Sequence, residues 1–350
     1  VIVAGGLTAV AGVILAVLLS RGGAKPTAVP SARRGSSSSP ASVGAVTGAL
    51  LRIDPATNEV AAHAYAVGVD PTAVAIGYAS VWVANGGDNS ILRLDPATGN
   101  AEATVVLDQE PRSIAIGSGV SGVWINTVDH VSKIDQVSND LVLTQDLGDA
   151  TGVVASGEES VWVTGLLFGL GKIDPTSGLF DPGFSVGQIL CSACFEQPGG
   201  GWSGDHQRGA PPSVAAGFGS VWAVGAPPPS GPSAVWRVDP SRGTSAPIRV
   251  RFAALGVAVG KNAVWAVGTN GEVARIDPVG NRVLRRIETG SGATQVVAGL
   301  GSVWVLNPTL GTVIRIDPAK NTVVATIDVG KGASAVATGE GSVWVTRRAG

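Results

Sequence analysis

From about residue 47 onward the chain is built of short apolar runs with alternating polar positions, separated by Gly, Pro, Asn, Asp and Ser. A period of two over such lengths reads as β-strand, and the interruptions read as tight turns. One apolar word recurs: Val81-Trp82-Val83, Val123-Trp124-Ile125, Val161-Trp162-Val163, Val221-Trp222-Ala223, Val264-Trp265-Ala266, Val303-Trp304-Val305 and Val343-Trp344-Val345. A second recurs out of phase: Arg52-Ile53-Asp54-Pro55, Arg93-Leu94-Asp95-Pro96, Lys133-Ile134-Asp135, Lys172-Ile173-Asp174-Pro175, Arg237-Val238-Asp239-Pro240, Arg275-Ile276-Asp277-Pro278 and Arg315-Ile316-Asp317-Pro318. Each word occurs seven times. The tryptophans are 42, 38, 60, 43, 39 and 40 residues apart, a period that marks a four-stranded propeller blade.

One unit reads on Thr72 to Leu107. Strand A is Ala73 to Ile76, strand B Val81 to Ala84, strand C Ile91 to Asp95 and strand D Ala103 to Leu107. Alternation puts Trp82 on one face of its blade and Val81 and Val83 on the other. The order of the words makes the chain enter on a C–D half-blade (Gly48 to Val67) and leave on an A–B half-blade (Ala333 to Thr346). The expectation is therefore an all-β, seven-bladed β-propeller over residues 47–350. Its last blade is closed by pairing the two ends, so that no strand edge is left open there. The repeated aspartates are turn chemistry: Asp accepts backbone N–H bonds and Pro presets φ.

The first twenty residues, Val1 to Ser20, show neither alternation nor charge. At about 1.5 Å per residue they span roughly 30 Å as a helix, enough to cross a hydrocarbon core. A retained single-pass transmembrane helix is expected over 1–20. A signal peptide is the competing reading, but it lacks a basic n-region and a good cleavage site. Ala4, Thr8, Gly12 and Ala16 recur every fourth residue, a small-residue face that would suit a dimer through the helix. Arg21, Lys25, Arg33 and Arg34 follow the run, which by the positive-inside rule alone would favour a cytoplasmic propeller. Residues 21–46, rich in Gly, Ser, Pro and Ala, read as a flexible spacer.

Composition adds three constraints. Hydrophobic residues make up 45% and charged residues 14%, with 50 glycines and 21 prolines, which fits many short strands and excludes a coiled coil or a disordered chain. A net charge of −2, with no basic run outside the spacer, argues against nucleic acid as a partner. The chain begins at Val1 and has no methionine, so it reads as a piece of a longer protein whose upstream part could carry the effector activity.

Function is sought where the repeats break, since insertions decorate one face. Between Trp162 and Trp222 about twenty extra residues, approximately Gly187 to Pro212, form a D–A connection. Gly225 to Pro232 form a long B–C connection of the next blade. D–A and B–C connections share a face, so both should project over one channel entrance. Inside the insert, Cys191 and Cys194 can form a local disulfide, stay free or, with Asp205 and His206, hold a metal. Trp202 is either a ligand contact or a pin for the loop. The candidate ligand contacts at this entrance are Arg112, His130, Asp149, Trp202 and His206. His63 is placed in a D strand with a structural role. No Ser/His/Asp order or acid pair can be assigned to a shared pocket, so no catalytic residue, metal or cofactor is expected.

The stretches Val81 to Gly99 and Gly301 to Gly330 resemble the YVTN-type β-propeller repeats of bacteria, over essentially residues 47–350. Relatives of this kind occur as the outer part of membrane-anchored proteins, including receptor-like serine/threonine kinases and large transcriptional regulators. The resemblance implies an extracytoplasmic sensory module that binds a small molecule, glycan or protein at the D–A/B–C face. Virginiamycin B lyase-like propellers are more distantly similar, and their catalytic His and acidic positions find no match here. A propeller enzyme, lyase- or lactonase-like, and a scaffold for partner proteins are the alternative readings.

Overall fold

A computed structural model of the protein describes residues 47–117, 119–148, 151–165, 169–186, 213–224 and 234–349. The apolar run 1–20 and the spacer 21–46 lie outside the described residues. Seven antiparallel sheets are present. Blade one consists of Pro71–Gly77, Ser80–Asn85, Ser90–Leu94 and Ala101–Val106, called strands A to D. Blades two to six follow in chain order over 113–146, 151–185, 213–249, 254–288 and 295–328. The seventh takes strands A and B from Ala333–Gly339 and Ser342–Arg347, and strand C from Ala49–Asp54. Leu51 pairs with Val345 and Arg52 with Trp344 across the seam. The ring closes as expected, with its ends in one sheet.

Alternation works as the sequence predicts. Seven hydrophobic clusters fill the seven interblade spaces. In each, the tryptophan of one blade meets the Val-x-Val faces of the next: Trp82 meets Val123 and Ile125, and Trp344 meets Val81 and Val83 across the seam. All seven tryptophans are at most 2% exposed. Five of them also donate the indole N–H to the carbonyl of the glycine that ends their own strand A, as Trp162 does to Gly157 at 2.9 Å.

Those glycines have a second role. The A strands touch their neighbours all round the axis, and the terminal glycine is where they come closest. A β-carbon at Gly77 would lie 2.4 Å from Ile116 of blade two, one at Gly217 2.6 Å from Val259, and one at Gly339 2.4 Å from Ile76 across the seam. Real β-carbon contacts are never so short, so the ring needs glycine at this position. The turn that follows has two residues with positive φ, such as Tyr78 (55°) and Ala79 (53°), the twist-matched hairpin geometry.

One strand departs from expectation. Strand D of the closing blade is split into Glu59–Val60 and Tyr65–Ala66. Val60 pairs with Ile53 and Tyr65 with Leu50, so five steps on one strand face three on the other. The two surplus residues bulge out, and His63 sits exposed in that break rather than in a strand.

Candidate functional site

The two faces of the ring are built from different chemistry. On the face formed by the A–B and C–D turns, the second recurring word assembles a latch. Each word begins with a cation, and strand pairing places it opposite the blade's own tryptophan, as Arg93 lies opposite Trp82. The Arg93 guanidinium lies 5.1 Å from the Trp82 ring centre, within cation–π range. Its Nε donates to Ser80 at 2.9 Å, and one terminal nitrogen donates to the Gln136 carbonyl and Asn139 Oδ1 of blade two at 2.9 and 3.0 Å. The same stacking recurs for Arg52, Lys133, Lys172, Arg237, Arg275 and Arg315. Across the seam, Arg315 donates to the Pro55 carbonyl and, at 2.8 Å, to Asn58 Oδ1.

The latch varies in a correlated way at six of the seven interfaces; at the seventh, Arg52 faces Gly99 of blade one and, among the described residues, hydrogen-bonds Ser342 of its own blade instead. Arg93, Arg237, Arg275 and Arg315 each reach an asparagine in the C–D turn of the following blade: Asn139, Asn281, Asn321 and Asn58. These asparagines have positive φ, between 51° and 63°. Lys133 and Lys172 instead donate to one carbonyl each, Pro175 at 3.0 Å and Pro240 at 3.3 Å. The corresponding turn residues are then Gly178 and Gly243. A guanidinium carries donors for a carbonyl and an amide oxygen of the next blade at once, while the Lys133 ammonium places a second N–H on Ser121 of its own blade at 3.1 Å. Burial pushes the Lys133 pKa down, and the carboxylates of Asp135 and Asp174 oppose that.

The aspartates hold the turns. Asp95 Oδ1 accepts from the Ala97 and Thr98 amides at 2.9 and 2.7 Å, and the hydrogen bonds from Thr98 hold its carboxyl below the usual range. The carboxyls of Asp135, Asp174, Asp277 and Asp317 are lowered chiefly by turn amides, and that of Asp239 by the Ser241 hydroxyl. These carboxylates and cations are therefore engaged in structure.

Two open grooves lie on this same face. One, of about 400 Å³, is bounded by Glu158, Glu159, Lys172, Asp174, Phe180 and Asp181 among others. The other, of about 440 Å³, lies among Tyr78, Gly119, Val120, Gln136 and Pro175. Neither brings a nucleophile to a base. Among the described residues no three His, Cys, Asp or Glu side chains are grouped to hold a metal ion.

The opposite face carries the D–A and B–C connections. Buried asparagines close three of them. Asn307 donates to the Gly290 and Ser291 carbonyls and accepts from the Leu310 amide; Asn126 bonds Gly152 and Ser113. Asn85 donates to Ser90 but leaves its carbonyl oxygen without a partner among the described residues. Of the predicted contacts, Arg112 leads into strand A of blade two and is exposed, and His130 opens strand C of that blade, with Nδ1 2.7 Å from Asp129 Oδ1. Both lie on this face, as expected. Asp149, Trp202, His206, Cys191 and Cys194 lie outside the described residues. Strand D of blade three ends at Ser185 and strand A of blade four begins at Ser213; strand B of blade four ends at Val224 and strand C begins at Ala234. The two longest connections thus leave the ring side by side, on this face. The latch cations recur in the sequence as the first letter of the second word, but their acceptors belong to the following repeat, so the word alone carries no sign of the latch.

No family model and no curated protein sequence matches the chain. Solved structures do. A structure of U3-55K superposes with a TM-score of 0.58 at 11% identity, covering 80% of this chain and 95% of that one. Hydrazine synthase from Kuenenia stuttgartiensis gives 0.59 at 12%, covering 76% and 89%. BamB from Moraxella catarrhalis gives 0.52 at 13%, covering 93% and 98%. At such identities the likeness establishes the fold alone: the chain is a seven-bladed β-propeller.

Proposed function

We propose that this propeller is a non-enzymatic binding module, the sensory part of a membrane-tethered protein, taking a small molecule, glycan or protein over its D–A/B–C face. The observation that carries this reading is the division of labour between the faces. The recurring charged side chains are engaged in latching blades and turns on one face, while the two longest connections, 186–212 and 225–233, are grouped on the other. Arg112 and His130 belong to that second face. The likeness of the repeat words to YVTN-type propellers supports an extracytoplasmic position, and the apolar run Val1 to Ser20 supports the tether. Both the N-terminal segment, joining at Ala49, and the last strand, ending at Arg347, meet the ring on this face as well.

The test is a thermal-shift screen of residues 47–350 against mono- and oligosaccharides, amino acids and short peptides. It is repeated on a variant in which 187–212 is replaced by a short Gly/Ser connection. A ligand that raises the melting temperature of the parent and leaves the shortened variant unmoved supports the reading. A ligand that stabilises both equally would place its site elsewhere and defeat it.

A further inference from the structure

Outside the latch, the cations are unevenly placed. Among the described outer strands, only those of blades four and five carry lysine or arginine: Arg249 on Ser245–Arg249, and Arg282, Arg285 and Arg286 on Arg282–Glu288. These two strands touch each other, and Arg251 follows directly after the first, so five arginines share one edge of the ring. The outer strands of blades one to three carry Glu102, Asp146 and Asp181 instead, Glu102 being offset by Arg93 at 2.8 Å.

The fold does not require these arginines. Arg285 stands opposite Arg275, where blades one and six place Ala103 and Ala325 opposite Arg93 and Arg315. Arg286 occupies the register position of Thr104 and Thr326. Two of the five are offset by acids: Arg286 meets Glu272 at 2.7 Å, and Arg282 lies 3.7 Å from Asp277. Arg249, Arg251 and Arg285 are exposed and form no ion pair among the described residues, with Glu288 the one exposed acid on the same strand. Leu284, 37% exposed, lies between them.

A small anion needs donors that converge. Here the side chains spread along a convex outer edge, and both grooves described above lie on other blades. Dispersed cations of this kind match an extended layer of negative charge, attracted over about a Debye length.

We propose that this arginine edge rests on the anionic headgroups of a bilayer and so orients the ring against the membrane. The choice of occupant rests on the tethered reading. A twenty-residue apolar run and a spacer over 21–46, with a root-mean-square reach of about 28 Å, would hold the ring beside a bilayer. Asp146 and Asp181 on the outer strands of blades two and three would be repelled by the same surface, so the field favours one orientation.

The experiment uses residues 47–350, which contain the whole closed ring and lack the apolar run, so that its failure leaves the tether untouched. Binding is measured by co-sedimentation with vesicles of phosphatidylcholine alone and of an equimolar mixture with phosphatidylglycerol. The expected result is partitioning onto the mixed vesicles only. It should weaken on the order of a hundred-fold in the Arg249→Gln/Arg251→Gln/Arg285→Ala variant, at about one factor of five per charge, and fall in about 1 M salt, where the screening length is about 3 Å. Unchanged circular dichroism and melting temperature would show that the variant is folded. Equal binding to both vesicle types, full retention by the variant, or binding to a DNA duplex with no binding to the mixed vesicles would each overturn the proposal. The tether is tested apart from this, by whether the full chain fractionates with membranes and resists salt extraction.

Discussion

The two faces of this ring obey different rules. On the A–B/C–D face the repeats do nearly the same thing each time: a cation covers a tryptophan, in five of seven blades it reaches a carbonyl of the next blade, and an aspartate closes the turn. On the D–A/B–C face the connections differ in length and anchoring, from short turns such as those at Gly290 and Gly330 and the buried Asn307 loop to the long break between Ser185 and Ser213. The difference follows from geometry. A ring latched at six of its seven interfaces on one face, and packed along its axis, can tolerate variation on the other. Repetition therefore marks structure, and variation marks where a ligand could be read.

The largest effect should come from the interior that both faces share. Trp124 is fully buried and packs against Val161 and Val163 of the next blade. Trp124→Ala is expected to cost about 3–5 kcal/mol, measured by denaturant unfolding. A loss under about 1 kcal/mol would mean that blade two is not packed as described.

Acid should come next, because six turn carboxylates act together. Their folded pKa values are lowered, so their stabilisation is present above the unfolded value near 3.9 and is lost as pH falls through the folded values. The melting temperature should change little through these groups between about pH 5 and 8 and drop below about pH 4. Asp317→Asn should make that acid limb shallower. A limb unchanged by substitutions at all six sites would separate the turns from the latch face's stability.

A single latch has a smaller effect. Arg315 joins blade six to the closing blade through the Pro55 carbonyl and Asn58. Arg315→Ala should cost about 1.5–3 kcal/mol, from lost charged hydrogen bonds and the stacked Trp304 face. Arg112→Ala, exposed on the other face, should stay within about 0.5 kcal/mol. Equal losses would erase the contrast between the faces.

Much of this arrangement could be read before any coordinates. Seven Val-Trp words and seven words of a cation, an aliphatic residue and an aspartate give the blade count, the tryptophan face and the half-blades that close the ring, because each depends on local alternation and on order along the chain. What escaped detection depends on distance between repeats. Gly77 looks like a turn residue until Ile116 of the next blade is placed against it. Arg93 looks like a solvated strand residue until Gln136 and Asn139 are brought to it. The bulge around His63 needs a count of both strands at once. The candidate site was legible only as a location. Arg112 and His130 fall on the expected face, yet no repeated pattern says what they contact, since irregular connections have no second copy to compare with.

The finest test concerns the pairing of Arg with Asn and of Lys with Gly. If the latch is a matched unit, changing both members should restore what changing one loses. Blade three offers the cleanest site. A β-carbon at Gly243 would meet Phe184 at an ordinary 3.5 Å, and its φ of 66° suits asparagine. At Gly178 the same atom would lie 1.8 Å from Leu143, which explains why Lys133 is not matched by asparagine there. Lys172→Arg and Gly243→Asn should each be near neutral or slightly destabilising alone. Together they should show a favourable coupling of about 0.5–1 kcal/mol in a double-mutant cycle. Coupling within error of zero would mean that the arginine reaches the carbonyl alone, and that asparagine recurs in these turns only because it tolerates positive φ.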